Sequence, residues 1–558
     1  MKSTASTEAA AGISAKAAFP VEFSPAHKRD SFYLAAISAC ISLFALVFYF
    51  RHNQILLSGD AIAHINIARR VFDSRTPGLV QLGTVWLPLP HILMMPFVAS
   101  DWAWRTGIGG TMPSMVAYVA GVLGIFRLLR GGLRNFCPEN HARMIAWGAA
   151  LIYAANPNLM YLQATALTEP LYLALFIWAM VFFSEFALAL RRNKNHARRA
   201  LQWCGVCLFA ATLTRYDGWV ASAVMAVAAL VLVIAFGGQR LGKAFLQFAF
   251  ILAAAPALWL AYNAAAFDNP LEFATGEYSA RAVTERSVRS GQPEHPGFHD
   301  PKTAAAYFLK AATLNAGEGG WQSIWLPLAL AGTAGFLIYA PPLAGMLLLW
   351  LPVPFYAFSI AYGSVPIFLP AWWPFSYYNV RYGLELLPAL AVFPALAAYF
   401  LGVAVKRRRW SPLTVLALLA LAAGSYISVW RRTPVSLREA QVNGSARMAL
   451  QTRLAAELQR LPASATLLMY SADQVGVLER GGIPLRRVIH EGNALEWHAS
   501  LRAPLPWMEY ALAFAGDPVD KFAGQHAREL SPVFHMKVAG QPVATLYAYQ
   551  AIQPTPAR

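Results

Sequence analysis

Charged residues are scarce in this chain of 558 residues: Asp, Glu, Lys and Arg together make up 13% of it. A soluble globular protein carries roughly 25% charged residues. Hydrophobic residues make up 57% of the chain, and its mean hydropathy is +0.43. The composition excludes an ordinary soluble protein and indicates one that lies in a lipid bilayer.

Cysteine is also rare, and the four cysteines do not have the spacing of a disulfide framework. Cys204 and Cys207 have the C-x-x-C spacing of redox and metal sites. They lie in an apolar run that offers no further metal ligand, so the sequence favours two small packing residues.

Acidic residues are almost missing from a set of short basic loops. The formal net charge is +17, and Glu139 is the one acidic residue in these loops. Basic residues in short loops between apolar runs follow the positive-inside rule rather than forming a surface for phosphates. The pattern predicts cytoplasmic loops and no nucleic-acid partner. The basic residues are Arg127, Arg130, Arg134, Arg143, Arg191, Arg192, Lys194, Arg198, Arg199, Arg240, Lys243 and Lys406 to Arg409.

Long apolar runs recur between Phe32 and Trp430, and many approach the ~20 residues that cross a bilayer. Eleven spans are predicted, and placing the basic loops in the cytoplasm puts the N-terminus inside. The chain is expected to be a polytopic α-helical membrane protein of the inner (cytoplasmic) membrane. The predicted spans are 32–50, 111–130, 144–162, 170–190, 200–214, 219–237, 244–266, 323–340, 342–361, 383–403 and 411–430.

This topology divides the chain into three parts. Residues 1–30 are rich in Ala, Ser and Thr and are expected to be a disordered cytoplasmic segment. Residues 31–430 form the transmembrane part, in which the polar, turn-rich loop 267–322 is expected to be a mobile lid on the outer side. Residues 431–558 are expected to form a small α/β domain outside the membrane, on the non-cytoplasmic side.

The first outer loop, 51–110, has a helical pattern followed by an apolar stretch. Ile62, Ile65, Ala68, Val71 and Phe72 lie on one side of the predicted helix. The stretch "TVWLPLPHILMMPFV" is too short and too rich in proline to span, which indicates an interfacial or re-entrant element.

The tail domain has one helical pattern and two strand patterns. In "SARMALQTRLAAELQRL", Leu450, Leu454, Leu458 and Leu461 lie on one helix face, whereas "ATLLMYS" and "VATLYAYQAI" are typical of strands. No catalytic motif is present in this domain.

Four short stretches on the outer side carry acids and arginines beside apolar spans. They are "SGDAIAHINIARR" with Asp60, "ATALTEPLYLALF" with Glu169, "TLTRYDGWV" with Arg215 and Asp217, and "YYNVRYGLELLPAL" with Arg381. Each has a structural explanation, because acids suit helix N-termini, arginines anchor at interfaces and Arg215 is close enough to pair with Asp217. Together they predict one cleft with two carboxylates and two guanidiniums.

These motifs resemble those of the GT-C glycosyltransferases. The resemblance rests on the first-loop acid in "GDAIAHINIARRVF", on "WLPLPH", on "TEP" at the start of a span, on "TRYDGW" and on "RYGLELLP". The family consists of polytopic enzymes that use lipid-phosphate-linked sugars, among them protein O-mannosyltransferases and aminoarabinose transferases. The resemblance covers about residues 30–410 and implies a GT-C-like fold.

The resemblance also implies roles for individual residues. Asp60 would be the catalytic base, Glu169 the second acid near the acceptor or an ion, and Arg381 the residue that holds the lipid phosphate, with Tyr382 beside it. The chain departs from two subfamilies at Ala61. Oligosaccharyltransferases have an acid-x-acid pair in this loop, and protein O-mannosyltransferases have two adjacent acids. The acceptor therefore stays open as a glycan, a lipid or a protein.

Other side chains expected near the cleft have both a functional and a structural interpretation. His64 could orient Asp60 or contact sugar, or it could satisfy local polarity, and Arg215 is a further candidate for substrate binding. Trp86 could stack on sugar or belong to the interfacial aromatic belt. The loop sequence "EHPGFHD" contains His295, His299 and Asp300, which chance explains better than a metal site.

The sequence thus predicts an inverting glycosyltransferase with a polyprenyl-phosphate-linked sugar donor. Inversion needs a base for the acceptor hydroxyl and a leaving group opposite it, and a lipid phosphate is already such a group. A monophosphate has less need of a metal than a pyrophosphate, which leaves a divalent cation such as Mg²⁺ or Mn²⁺ open. The alternative is a transporter or flippase of lipid-linked glycans. The acids at the membrane surface and the lack of a clear internal repeat favour the enzyme.

Overall fold

The computed structural model describes residues 25–339, 341–404, 411–472, 474–503 and 507–549. Of the segment predicted to be disordered, residues 1–24 lie outside this part, as does the basic cluster at 406–409. Residues 25–30 are helical, not disordered. The reason is that Asp30 is buried in the first helix, where it accepts two hydrogen bonds from Arg143 at 2.6 Å.

The described chain is mainly helical. Its α-helices are α1 (Pro25–Arg51), α2 (Gly59–Arg70), α3 (Leu89–Val98), α4 (Asp101–Arg105), α5 (Ile108–Gly132), α6 (Glu139–Ala154), α7 (Pro157–Leu162), α8 (Glu169–Ala189), α9 (Lys194–Thr212), α10 (Asp217–Phe236), α11 (Gly238–Phe267), α12 (Glu272–Thr275), α13 (Ala280–Arg289), α14 (Pro301–Ala316), α15 (Gln322–Tyr339), α16 (Pro352–Tyr362), α17 (Leu387–Ala404), α18 (Ser411–Arg431), α19 (Val435–Leu458), α20 (Gly476–Gly481), α21 (Ala494–Arg502) and α22 (Pro518–Gln525). Short 3-10 helices lie at Leu79–Leu82, Leu133–Asn135, Gly319–Trp321, Pro341–Trp350, Val380–Leu386 and Leu485–Arg487.

Nine helical stretches of the described chain are long and apolar enough to cross a membrane, so the predicted count of eleven is not confirmed. At the predicted span 144–162 the chain breaks between α6 and α7, where Asn156 caps α7. At 200–214, α9 begins with basic residues that make it too polar. The nine stretches are Ala26–Arg51, Ile108–Gly132, Glu169–Ala189, Asp217–Phe236, Leu241–Phe267, Gly319–Ile338, Gly345–Tyr362, Val380–Gly402 and Pro412–Leu458.

The segment 51–110 contains the amphipathic helix that the sequence predicts, α2, and the short apolar helix α3 that packs against it. Ile62, Ile65 and Ala68 are buried as expected. Val71 and Phe72 are not part of the buried face, because α2 ends before them and Phe72 is exposed. With ten residues, α3 is too short to cross a bilayer.

The loop 267–322, which the sequence predicts to be a mobile lid, contains helical structure. Three helices lie in it, and α14 packs against α16 with Tyr307, Phe308 and Ala311 buried. In contrast, α13 buries none of its residues. Only the part around α12 and α13 therefore keeps the exposed character of a lid. The apolar side chains of α14 were missed because they are sparse and separated by alanines.

The tail forms the α/β domain that the sequence predicts. Its sheet has the strands β1 (Leu467–Met469), β2 (Val488–Ile489), β3 (Tyr510–Phe514), β4 (Leu530–Met536) and β5 (Ala544–Tyr549), in the order β2-β1-β3-β5-β4. Strand β1 pairs in parallel with β2 and β3, and β5 pairs antiparallel with β3 and β4. The two strands expected from the sequence are β1 and β5. Leu450, Leu454 and Leu458 form a buried face of α19, and Leu461 lies beyond its end.

The tail domain lies against the segment 51–110. Glu479 of α20 is fully buried, and its Oε2 accepts a hydrogen bond from Asn66 Nδ2 of α2 at 2.8 Å. Arg486 Nη1 lies 3.2 Å from Asp73 Oδ1, just after α2. The domain thus helps to hold the helix on which Asp60 lies.

Candidate active site

Four elements bring the predicted site residues to one cavity of about 330 Å³. Asp60 lies in the first turn of α2, and Glu169 is the first residue of α8. Arg215 lies in the turn between α9 and α10, and Arg381 in the 3-10 helix before α17. All four side chains line the cavity, so the structure brings together the two acids and two arginines singled out in the sequence.

The 3-10 helix of Arg381 needs two unusual backbone positions. Asn379, which precedes it, has a left-handed φ of 55°, a conformation that asparagine tolerates better than most residues. Gly383 lies against α14, where an added Cβ would be 2.4 Å from the carbonyl carbon of Ala311. Glycine is therefore required for this close approach, which places Arg381 at the cavity.

Arg381 binds three carboxylates with three different nitrogens. Its Nε donates to Glu169 Oε1 at 2.8 Å, its Nη1 donates to Glu439 Oε1 at 3.0 Å, and its Nη2 pairs with Asp60 Oδ2. Glu169 and Glu439 are buried, with 1% and 7% of their side chains exposed, whereas Asp60 has 43% exposed. Asp60 is therefore the accessible acid of the group.

Arg215 is the centre of a second, adjoining network. Its Nε donates to Asp217 Oδ2 at 3.0 Å, and its Nη2 lies 3.0 Å from Glu385 Oε1. Its Nη1 lies 3.6 Å from Glu169 Oε1, the oxygen that Arg381 also contacts. Burial lowers the pKa of the Arg215 guanidinium, but the surrounding carboxylates outweigh it and hold that pKa above its ordinary value.

Tyr382 lies between the two guanidiniums. The centre of its ring is 4.7 Å from Arg215 Cζ and 5.1 Å from Arg381 Cζ, and the residue lines the cavity. The ring face attracts cations. Tyr382, expected from the sequence to bind substrate, thus also holds the two arginines in place.

His64 and Trp86 line the same cavity, with their ring centres 4.7 Å apart. His64 Nδ1 lies 2.8 Å from Nε2 of His91 in α3. Burial lowers the pKa of His64 to about 4, although Asp60 and Glu169 act to raise it. His64 is thus neutral at neutral pH, and it bonds to a histidine rather than to Asp60.

Three residues of these networks were not expected from the sequence: Tyr356, Glu385 and Glu439. Tyr356 OH lies 2.7 Å from Glu385 Oε1 and 3.2 Å from Asp217 Oδ2, so it can donate to one of these carboxylates at a time. Glu385 lies one turn after Arg381 in "RYGLELLP", so its spacing was a usable signal. Glu439 belongs to the tail, where no motif marks it, and no sequence signal would have found it.

The structure does not place His295, His299 and Asp300 as a metal site. Asp300 Oδ1 caps α14, accepting from backbone N–H groups at 3.0 and 3.2 Å. His295 bonds to backbone groups of Ile367 and Gly297. In the part of the chain that the structure describes, no group of three or more His, Cys, Asp or Glu could hold a metal ion.

A second cavity, of about 1060 Å³, adjoins the first. Both are lined by Val283 and Thr284 of α13, and by Ser364, Pro366 and Tyr378. The larger cavity extends along α13 to the aromatic side chains of Phe298, Tyr362 and Phe368. The site therefore opens onto a larger space beside α13.

Comparisons with known proteins support the fold. No protein-family model matches the chain, and no curated protein matches it in sequence. The structure of ArnT from Cupriavidus metallidurans bound to undecaprenyl phosphate matches it with a TM-score of 0.50 and 13% identity, covering 94% of this chain and 99% of that one. The structure of the same ArnT in the apo state matches with a TM-score of 0.50 and 12% identity, covering 92% of this chain and 97% of that one. The chain thus has the fold of ArnT, which confirms the GT-C-like membrane fold expected from its sequence.

Proposed function

We propose that this protein is a membrane glycosyltransferase that moves a sugar from a polyprenyl-phosphate donor to an acceptor hydroxyl on the non-cytoplasmic face. The observation that carries the proposal is the pair of Asp60 and Arg381: an accessible carboxylate on a buried guanidinium, at a cavity. ArnT, which has the same fold, binds undecaprenyl phosphate, the lipid class that such a donor leaves behind.

The donor phosphate would bind at Arg381 by replacing Asp60. Two of the three carboxylates on Arg381 are buried and fixed, but Asp60 is nearly half exposed and free to turn away. A phosphate oxygen would take its place at Nη2, since guanidinium groups bind phosphates well. The negative charge on the phosphate grows as the sugar leaves, so Arg381 stabilises the transition state more than the ground state.

Asp60 would then act as the base. Once released from Arg381, its carboxylate is free to accept the proton of the acceptor hydroxyl. The acceptor oxygen forms its bond to the anomeric carbon, while the bond from that carbon to the phosphate oxygen breaks and polyprenyl phosphate leaves. Attack opposite the leaving group inverts the anomeric centre, and no separate general acid is needed.

Three neighbouring residues would hold Arg381 in position while the phosphate replaces Asp60: Glu169, Arg215 and Tyr382. Glu169 Oε1 contacts both guanidiniums, so it fixes the distance between them, while its Oε2 is buried without a hydrogen-bond partner among the described residues. Arg215 adds positive charge near the phosphate. The second acid of the predicted pair is thus better suited to positioning than to direct contact with the acceptor.

The acceptor would enter through the larger cavity. It joins the site beside α13, which buries none of its residues and is the part of the outer loop best able to move. The aromatic side chains that line this cavity suit a sugar-containing or lipid acceptor as well as a peptide. The chemistry of the site requires only a hydroxyl.

The test is an assay with purified protein and a panel of synthetic polyprenyl-phosphate sugars, read out as release of polyprenyl phosphate by mass spectrometry. We expect polyprenyl phosphate to be released with at least one of the sugars, and little of it to be released by Asp60→Asn. EDTA treatment followed by Mg²⁺ or Mn²⁺ decides whether a cation takes part. Movement of intact donor across vesicles without any release would contradict the proposal and favour a transporter.

A further inference from the structure

Two buried histidines beside the cavity share one hydrogen bond. His64 of α2 and His91 of α3 are 4% and 0% exposed, and His64 Nδ1 lies 2.8 Å from His91 Nε2. Burial holds the pKa of His91 well below its ordinary value and that of His64 at about 4, so both rings are neutral at neutral pH. A neutral imidazole has one N–H and one bare nitrogen, so only one ring donates.

The surroundings of His91 decide which ring donates. Its other nitrogen, Nδ1, is buried and has no hydrogen-bond partner among the described residues. If His64 donated, His91 Nε2 would be bare and the proton of His91 would lie on Nδ1, as a buried N–H without an acceptor. Orphaned buried N–H groups are rarer than under-satisfied acceptors. His91 therefore donates from Nε2, and His64 Nδ1 accepts.

This arrangement fixes the proton of His64 on Nε2. That nitrogen takes no part in the bond to His91, and the residue lines the cavity. We propose that His64 Nε2–H is a fixed hydrogen-bond donor to an oxygen of the donor sugar, and that His91 is the positioning residue that sets its tautomer. The sugar contact rests on the proposed function, whereas the tautomer does not.

The part of the cavity lined by His64 and Trp86 is better suited to the sugar of the donor than to its phosphate. An uncharged N–H suits a hydroxyl or ring oxygen, while the charged phosphate has the guanidinium of Arg381 nearby. Trp86 lies next to His64 and also lines the cavity. An aromatic ring for the apolar C–H face of a sugar, with a directed donor at its edge, is a typical carbohydrate subsite.

Lipid binding tests the sugar contact. The probes are undecaprenyl phosphate and its glucose, mannose and arabinose phosphodiesters, bound to purified protein in detergent. His64→Leu should weaken binding of the best sugar lipid about 3- to 10-fold, the range for one neutral hydrogen bond, and leave undecaprenyl phosphate unchanged. His64→Gln, whose amide nitrogen lies near the position of Nε2, should keep most of the affinity. His498→Leu, at an exposed histidine of the tail, is the matched control.

The positioning role of His91 has its own readout. His91→Leu should reduce sugar-lipid affinity as His64→Leu does, and His91→Gln, which can again donate to Nδ1, should restore it. Equal weakening for undecaprenyl phosphate, or no weakening for any sugar lipid, would overturn the sugar contact.

NMR of ¹⁵N-histidine protein, assigned by comparison with His64→Gln, tests the tautomer directly. His64 should be protonated on Nε2 and bare on Nδ1, and a proton on Nδ1 would overturn the inference whatever the lipid results. The expected tautomer in a protein that binds none of the lipids would confirm the histidine pair and overturn the proposed function, together with the sugar contact.

Discussion

Arg381 is the residue at which most charges of the site meet. Together, Arg381 and Arg215 contact five carboxylates: Asp60, Glu169, Glu439, Asp217 and Glu385. Buried ion pairs of this kind add little net stability, but removing one partner is costly because it leaves charges without compensation. Substitutions of the two arginines therefore need variants that keep the positive charge.

Arg381→Lys is such a variant. Lysine keeps the positive charge but lacks the planar fork, so it cannot reach three carboxylates and a phosphate at once. We expect a folded protein with donor binding weakened at least about 10-fold, because a charge-assisted hydrogen bond contributes ~1.5–3 kcal/mol. Titration of the purified protein with undecaprenyl phosphate measures this loss of affinity. Arg460→Lys, at an exposed arginine of the tail that pairs with Glu457, is the control, and equal affinity in both variants would exclude a phosphate contact at Arg381.

Asp60→Asn separates catalysis from structure at a second residue. Asparagine keeps the shape and still suits the first turn of α2, but it cannot take a proton. Loss of a general base lowers rates by ~10²–10⁴-fold, while loss of one acid at a helix N-terminus costs about 0.3–1 kcal/mol. Transfer rate and thermal unfolding in detergent should therefore diverge. Near-normal turnover would show that another group is the base.

At the scale of elements, the link between α19 and the 3-10 helix of Arg381 joins the tail to the site. Glu439 of α19 accepts backbone hydrogen bonds from Asn379 and Val380 at 2.8 Å each, besides the contact with Arg381. One carboxylate therefore holds both the helix end and the side chain of the arginine.

Glu439→Gln tests this link. The amide keeps one acceptor oxygen but turns a donor toward a guanidinium or a backbone N–H. We expect donor KM to rise about 10-fold, from the loss of a charge-assisted hydrogen bond, with normal membrane insertion. Glu457→Gln, farther along α19 in an ion pair with Arg460, is the matched control. A KM that stays the same in both would show that Glu439 does not set the position of Arg381.

The contact between α20 and α2 should make stability depend on pH. Burial raises the pKa of Glu479 from 4.5 to about 8, although Asn66 and Arg480 act to lower it. The folded state thus holds a proton that the unfolded state loses above about pH 4.5. Stability should fall as the pH rises from about 4.5 to about 8.

Glu479→Gln isolates that effect, since glutamine resembles the protonated acid at every pH. Melting temperatures of parent and variant in detergent should agree near pH 5 and separate as the pH approaches 8, with the variant more stable. Parallel curves across this range would mean that Glu479 is ionised in the folded protein.

At the scale of the whole molecule, the proposed mechanism depends on sidedness. Ser290, exposed at the end of α13, and Asn195, exposed at the start of α9, are predicted to lie on opposite sides of the membrane. Ser290 is a better probe site than Gly291, whose φ of 92° disfavours any side chain. With the four native cysteines replaced, Ser290→Cys should react with an impermeant thiol reagent in intact cells, and Asn195→Cys only after lysis. The reverse result would place the site in the cytoplasm.

The sequence predicted the parts of the molecule that local patterns determine. Each of four site residues lies in a short sequence motif near a helix end: Asp60, Glu169, Arg215 and Arg381. The predicted topology placed all four motifs on the same side of the membrane, and the prediction of a common cleft rested on that alone. The predicted number of spans is not confirmed, in part because a polar interruption at Asn156 divides one apolar run into two helices. Glu439 and His91 depend on contacts between elements far apart in the chain, which no motif records.

The contact between Arg381 and Glu439 also has a consequence for the order of synthesis. The two residues are 58 positions apart, with the last apolar helix, α18, between them. At ~5–20 residues per second, the ribosome adds Glu439 about 3–12 s after Arg381. During that interval, Arg381 of the nascent chain would lack its contact with Glu439. We expect a chain that ends at Pro434 to insert but to bind donor lipid weakly, which a binding assay would check. On the proposed function, the site would then be completed only after α18 has been made, so a chain that has not passed this point would not yet transfer sugar.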